Sequence, residues 1–422
     1  MITLIEALNY RCLRYLRQPL GAFQVLVGPN ASGKTSFLDV PAILSEILSL
    51  GLRPAVERRS SNYYDLIWGR EGDCFELAVE AKVPEPYRTA EADAVFDTIR
   101  YEIRVGGHPS DGQLGILEEQ IHLICDAQRP AATTSETDAP STLFLPTRVP
   151  GCRSLLEARQ TRSGIYVADP EQAHDDKGPI SAAVETVLSR RPGESVLRRV
   201  FVPDFPASDW LAKLLANRVH YVDLAGDVLR RPAPPGVTPT LAEGGVGLPR
   251  MVASLQKRPQ DYDDWIKHLQ TALPTLSDVR VITREEDRHS YVMLRHKNGL
   301  EVPSMMLSQG TLRVMALTAM VYLGVKSEDS VVYCIEEPEN SLHPTNIETV
   351  MESLQSAWEG QVLVATHSPI VVSLAKPKDI LIFSADSQRG TQILRGDEHP
   401  YLRNWHREVG LGTIFASGVL GS

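Results

Sequence analysis

The run Gly28-Pro29-Asn30-Ala31-Ser32-Gly33-Lys34-Thr35 is the first place where residue types and spacing could do chemistry. An apolar stretch, FQVLV, leads into it, and Leu38, Ile43, Leu44, Ile47 and Leu48 follow at helical spacing. Strand, Gly-rich turn and helix in that order make a cradle for phosphates. The glycines let the backbone close around the anion, and successive N–H groups and the helix N-terminus face its charge. Lys34 would reach the β- and γ-phosphates, and the Thr35 hydroxyl would ligate Mg²⁺. Gly28, Pro29, Asn30, Ala31, Ser32, Gly33, Lys34, Thr35 and Ser36 are therefore the candidate contacts to a nucleotide such as ATP. A second apolar run, Val331 to Ile335, ends in Glu336 and Glu337. The first carboxylate would orient the Mg²⁺ hydration shell, and the second would position or deprotonate an attacking water. Asp is commoner at the first position, and Glu336 is one methylene longer.

Two more segments fit the same chemistry. Leu307-Ser308-Gln309-Gly310-Thr311-Leu312-Arg313 opens an apolar helix one helix and a turn before Glu336. Ser308 also suits a plain N-cap. Val362 to Ala365 reads as a strand ending in Thr366-His367-Ser368-Pro369. The end of a parallel strand is where ligands sit in doubly wound sheets, which favours a functional His367.

These residues resemble a family. L-S-x-G-x-x-R is similar to the signature motif of ABC-type ATPases. The resemblance implies that Ser308 and Gly310 bind the γ-phosphate held by the opposite protomer, and that His367 is the switch histidine touching that phosphate. Glu337-Pro338-Glu339-Asn340-Ser341-Leu342-His343-Pro344 resembles the segment after the catalytic strand in RecF-like, SMC-like and OLD-like ATPases. The opening L-N-Y-R-C-L resembles theirs too, and implies that Arg11 lies near the phosphates. Val228-Leu229-Arg230-Arg231-Pro232, Glu243 to Pro249 and Gly418 to Gly421 look like the middle and end of bacterial AAA-family, OLD-like ATPases, many encoded beside phage-defence effectors. No long heptad run is present, so a coiled-coil machine is not expected. No Toprim-like acidic constellation follows residue 395, so the expectation is an ATPase module without a fused nuclease.

The elements that must position these residues can be read coarsely. Ile2 to Leu8 and Phe23 to Val27 read as strands, and Ser36 to Leu50 as a helix that Pro41 should kink or restart. CFELAVEAKV, FDTIRYEIRV and LGILEEQIHLI read as an antiparallel sheet. Gln128 to Ser141 and Asp169 to Gly178 read as loops. Helical signals dominate from 180 to 275, including Trp210 to Val219 and Val252 to Leu273, and strand–helix alternation returns after 278. The fold expected is an α/β P-loop ATPase head of ABC type with an added antiparallel sheet and a helical middle segment. The domains expected are an N-terminal ATPase lobe (1–125), a variable middle (126–277), a C-terminal ATPase lobe (278–395) and a tail (396–422).

Composition bounds the partners. The chain has 422 residues, 43% hydrophobic and 23% charged, with a formal net charge of −10. That usage is globular, and the charge excludes a chain that coats nucleic acid through bulk attraction. The 5 cysteines form no C-x-x-C pair, which disfavours a disulfide framework or thiolate zinc site. No signal peptide is read at the start, and the longest apolar run, Val314 to Val325, is too short to span a bilayer. A cytoplasmic protein without a membrane partner is expected. Arginine pairs at 58–59, 190–191, 198–199 and 230–231 suit ion pairs, or a backbone track for DNA if they share a face. Gln113, Gln120 and Gln160 compete for a Mg²⁺-contacting role, and Tyr10 or Tyr15 for stacking on the base. The expected function is an ATPase that forms a homodimer or higher oligomer around ATP and Mg²⁺ and gates a separate effector, a nuclease, in anti-phage defence. The alternatives are a RecF-like repair ATPase acting directly on DNA and an ATP-stabilised platform with little turnover.

Overall fold

A computed structural model describes residues 1–91, 94–108, 112–129, 139–146, 149–161, 164–168, 194–199, 206–324, 330–356, 360–403 and 410–419. Asp169 to Gly178, Arg190–Arg191, Gly421 and most of the Gln128 to Ser141 stretch lie outside them. Two units are formed, one from residues 1–20, 31–219 and 384–392, the other from 21–30, 220–383 and 393–422.

The strands of the first unit are β1 (Ile2–Tyr10), β2 (Leu13–Pro19), β4 (Cys74–Lys82), β5 (Thr89–Glu91), β6 (Ala94–Phe96), β7 (Thr98–Gly107), β8 (Leu114–Ile124), β9 (Cys152–Thr161) and β10 (Gly164–Ala168); β3 (Phe23–Val27) belongs to the second. All but β3, β5 and β6 form one antiparallel sheet in the order β10-β9-β8-β7-β4-β1-β2. Alternation along β4 and β7 separates two buried faces. Phe75, Leu77, Val79, Ile99, Tyr101 and Ile103 are apolar, whereas Glu76, Glu80, Arg100, Glu102 and Arg104 point the other way. The charged face is satisfied internally. Arg100 pairs with Glu6, Glu80 and Glu102, and Arg104 with Glu76 and Glu118. Leu143 and Leu145 donate their amides to Glu76 and Glu102 at 2.6 and 3.1 Å.

The second unit holds most of a sheet in the order β11-β15-β16-β3-β17-β18, from β11 (Val219–Val222), β15 (Val332–Glu336), β16 (Gln361–Ala365), β3, β17 (Ile380–Asp386) and β18 (Gly390–Arg395), of which Val219, 384–386 and 390–392 are counted with the first unit. The strands β15, β16, β3 and β17 are mutually parallel. A smaller antiparallel sheet joins β12 (Leu276–Thr283), β13 (Ser290–His296) and β14 (Glu301–Pro303). The core gathers Val25, Val27, Trp265, Leu312, Ile335 and Val364, among others. Helix Gln309–Gly324 is apolar around most of its circumference and is correspondingly buried. Its Thr318 hydroxyl receives the Trp265 indole N–H at 2.9 Å, so the one polar group meeting that ring is satisfied. No described helix is long and apolar enough to cross a membrane.

Three local expectations differ from the structure. Helix Lys34–Leu50 runs unbroken through Pro41. The packing of Phe37, Leu38, Ile43, Leu44 and Ile47 outweighs the missing hydrogen bond and ring clash of an internal proline, together about 3 kcal/mol. The Val252 to Leu273 stretch is two helices, Leu248–Gln256 and Pro259–Ala272. Arg258 (φ −122°, ψ 83°) separates them because a residue before proline is pushed out of the α region. Between 126 and 277, β9 and β10 extend the first sheet; the alternation of β9 is interrupted by Leu155-Leu156, and β10 is only five residues long.

Candidate functional site

In the second unit, the register of the parallel strands sets one edge. Glu336 lies beside Ala365, and Ala365 beside Leu26, so β15, β16 and β3 all run out at the same end of the sheet. Gly28, Glu337 and Thr366 are the residues just beyond. Glu337 takes a left-handed backbone (φ 43°), which a non-glycine residue holds at a cost of about 1–3 kcal/mol. Its N–H still donates to Ala365 C=O at 2.9 Å, so the turn is pinned to the ladder. The Asn340 amide donates to Glu337 Oε2 at 2.7 Å, and His367 Nε2 stands 3.9 Å from Oε1. That separation is too long for a direct hydrogen bond and of the length a bridging water spans. The two side chains are 38% and 36% exposed, which leaves both open to a reactant. Glu336 has a buried Oε1 without a hydrogen-bond partner.

The same edge carries the Leu307 to Arg313 segment. Ser308 caps helix Gln309–Gly324: its Oγ accepts the Thr311 N–H at 3.1 Å and shares a 2.8 Å hydrogen bond with the Thr311 hydroxyl. Gly310 has a separate reason. A Cβ there would lie 2.5 Å from the Ser341 carbonyl oxygen, so only glycine admits the 337–341 loop this close. Gly310→Ala is therefore expected to push that loop away and cost about 1–3 kcal/mol; a melting temperature unchanged from wild type would show that the loop yields freely. Sequence reasoning gave Arg313 no role of its own and read Arg230 as half of an arginine pair, yet both hold these pieces together. Arg313 donates to Leu224 C=O and, at 3.5 Å, to Glu337 C=O. Arg230 Nε donates to Leu307 C=O at 3.1 Å, directly before Ser308.

In the first unit, helix Lys34–Leu50 begins at Gly33 (φ 104°) with no capping side chain and no acidic residue in its first turn. A helix start of this kind is a place where an anion can bind. Ser32 is fully buried, and its Oγ has no partner. Lys34 is buried, Thr35 is exposed, and Ala31 is left-handed (φ 62°). Thr391, which no motif signalled, packs on this turn. A Cβ on Gly33 would stand 2.1 Å from its Oγ1. Thr391 N–H donates to Cys12 C=O at 3.2 Å, and Cys12 Sγ donates to the Ser36 hydroxyl at 3.1 Å. Arg11 lies one turn along the helix, with Nη1 on Asp39 Oδ2 at 2.8 Å. Asp39 also accepts from Arg59 and from the Tyr10 hydroxyl. Tyr10 is thus a fully buried core residue and does not present a face to a base. Burial, and then the neighbouring Asp39, push its hydroxyl well above the ordinary range. Gln120 is buried in the charged face beside Glu118 and His122. Of the arginine pairs, Arg58, Arg59 and Arg231 are committed to ion pairs and Arg230 to a carbonyl.

Taken separately, the helix start with no capping side chain beside the orphaned Ser32 hydroxyl suits a phosphate, and the orphaned Glu336 oxygen suits a cation such as Mg²⁺. Among the described residues no group of three or more His, Cys, Asp or Glu stands ready to hold a metal ion. Mg²⁺ needs no such cage, because one or two protein oxygens and the substrate phosphates suffice.

Residues 171–373 match the family model described as "AAA domain, putative AbiEii toxin, Type IV TA system". The structure resembles an Smc head solved bound to the C-terminal winged-helix domain of ScpA, with 14% identity, a TM-score of 0.52, and coverage of 93% of this chain and 97% of that one. An Smc head with an extended coiled coil, bound to the C-terminal domain of ScpA derived from Pyrococcus furiosus, is similar at 13% identity and a TM-score of 0.49, covering 93% of this chain and 95% of that one. No curated protein matches the chain. The fold is a mixed α/β fold resembling the first of those Smc heads, with an added antiparallel sheet.

Proposed function

We propose that this protein binds and hydrolyses ATP, dimerises around it, and acts as a switch for a separate effector in bacterial defence. The observation that carries the reading is the Glu337 carboxylate, one oxygen held by Asn340 and the other facing His367, at the sheet edge where β3 ends in Gly28. Lys34 and the backbone N–H groups of the Gly28–Ser36 turn, to which Pro29 adds none, would hold the phosphates, with Arg11 close to them. Thr35 and Glu336 would hold Mg²⁺, which would supply charge neutralisation at the γ-phosphate. Glu337 accepts the proton of the attacking water, and His367 contacts the γ-phosphate. Ser308 and Gly310 meet the nucleotide held by a second copy. The family description, which names a toxin of a toxin–antitoxin system, supports the defence setting. A nuclease is the effector class proposed.

Phosphate release and light scattering test it, with and without ATP–Mg²⁺, on wild type and Ser308→Arg. Wild type is expected to hydrolyse slowly and to gain mass with ATP, and Ser308→Arg to bind ATP as a monomer without turnover. Normal hydrolysis by Ser308→Arg would remove the second copy from the reaction. Stable ATP occupancy with negligible wild-type turnover would favour an assembly platform instead.

A further inference from the structure

Glu339 is a carboxylate for which the proposed reaction has no use, yet it lies two residues beyond Glu337. Its Oε1 accepts the Thr366 hydroxyl and, at 3.3 Å, the His367 N–H. Its Oε2 is buried without a partner. Thr366 is fully buried and anchored in turn: its N–H donates to Leu26 C=O at 3.1 Å, and its Oγ1 accepts the Ser368 N–H at 2.9 Å. The backbone on both sides of His367 is thereby fixed by one Glu339–Thr366 pair. The loop that carries Glu339 also holds Glu337 through Asn340. On its far side it meets the signature segment, where the Ser341 hydroxyl donates to Gln309 Oε1 at 3.2 Å and the Ser341 carbonyl abuts Gly310.

We propose that Glu339 is a positioning residue that acts through Thr366 to set the His367 imidazole opposite Glu337. A shift of the 337–341 loop at its signature end would then reach both reacting groups together. The proposal rests on the reading that Glu337 and His367 act on ATP. Burial, the largest influence on Glu339, raises its carboxyl above the ordinary range despite the Thr366 hydrogen bond. This agrees with a group kept for geometry in a poorly solvated place.

The test uses the full chain with Glu339→Ala, Glu339→Gln, Thr366→Val and Thr366→Ser. Glu339→Ala and Thr366→Val are expected to lower kcat for ATP about 10- to 100-fold, as misplacement of a reacting group does, with KM nearly unchanged. Thr366→Ser, which keeps the hydroxyl, restores kcat. A second readout does not depend on turnover. With ¹³C-labelled histidine, the His367 resonance, identified by its loss in His367→Gln, should move in Glu339→Ala, Glu339→Gln and Thr366→Val and return in Thr366→Ser. An unmoved resonance overturns the proposal, whatever kcat does. If wild type does not hydrolyse ATP at all, the functional reading fails, and the resonance still decides the role of Glu339.

Discussion

Glu337→Gln is expected to lower kcat for ATP by about 10²- to 10⁴-fold, the contribution of a positioned general base, while ATP–Mg²⁺ still binds. The substitution is close to isosteric. The amide oxygen can keep the Asn340 hydrogen bond that the carboxylate now accepts at 2.7 Å. The left-handed backbone at this residue and its N–H bond to Ala365 do not depend on the carboxylate. What disappears is the basic oxygen facing His367. With binding intact and chemistry blocked, the nucleotide-bridged pair should accumulate, and light scattering with ATP–Mg²⁺ should read twice the mass of the nucleotide-free variant. Hydrolysis within threefold of wild type would reassign the base. Glu336→Gln separates the two carboxylates: on the proposed roles it weakens the cation site, so its loss of activity should be relieved by raising Mg²⁺, whereas that of Glu337→Gln should not.

What the sequence made legible follows the range of the interactions. The Gly28–Thr35 turn, the Val331 to Glu337 strand end and the Thr366-His367 strand end are local patterns, with apolar runs next to residues whose types suit phosphate or water chemistry. β3, β15 and β16 form as that pattern requires, and their parallel pairing follows from the helices between them. Contacts across long stretches of chain left no such trace. Thr391 packs on Gly33, and Arg230 bonds Leu307, from positions whose neighbours in sequence say nothing about it. The charged sheet face misleads for the opposite reason. Glu76, Glu80, Arg100, Glu102 and Arg104 alternate with apolar residues as a solvated strand would, and only the structure shows both faces buried. Pro41 was weighed by its local preference, and the packing of the surrounding helix overrode it.

That buried face supplies the other large expected effect. Arg100 is 3% exposed and touches three carboxylates: Glu6 at 2.5 Å, Glu80 at 3.0 Å and Glu102 at 2.5 Å. Its Nη2 also donates to Leu143 C=O at 3.0 Å. Arg100→Met fills most of the volume but leaves buried negative charge behind, and losing one partner of a buried ion pair costs about 3–5 kcal/mol. Glu80 keeps Arg129, and Glu6 keeps Arg17. Glu102, wholly buried beside His122, has the least left. The pH dependence follows from the shifts. Burial alone would raise the carboxyls of Glu80 and Glu102, but their arginine and histidine partners win and hold both below the ordinary range. Their stabilisation is therefore present above the unfolded carboxylate range and is lost only as pH falls through the lower folded values. Without Arg100, burial dominates at Glu102 and its carboxyl moves above the ordinary range. The variant should then regain stability as pH falls from 7 to 5, because protonation removes the buried charge. Hydrogen exchange of the β7 amides reads this locally, without requiring the two units to unfold together. At pH 7 protection should drop by about 10²- to 10⁴-fold relative to wild type, and the gap should narrow at pH 5. A gap that stays constant between the two pH values would mean that the carboxylates had found other partners, with the 142–145 segment, which already donates two amides to this face, as the nearest source.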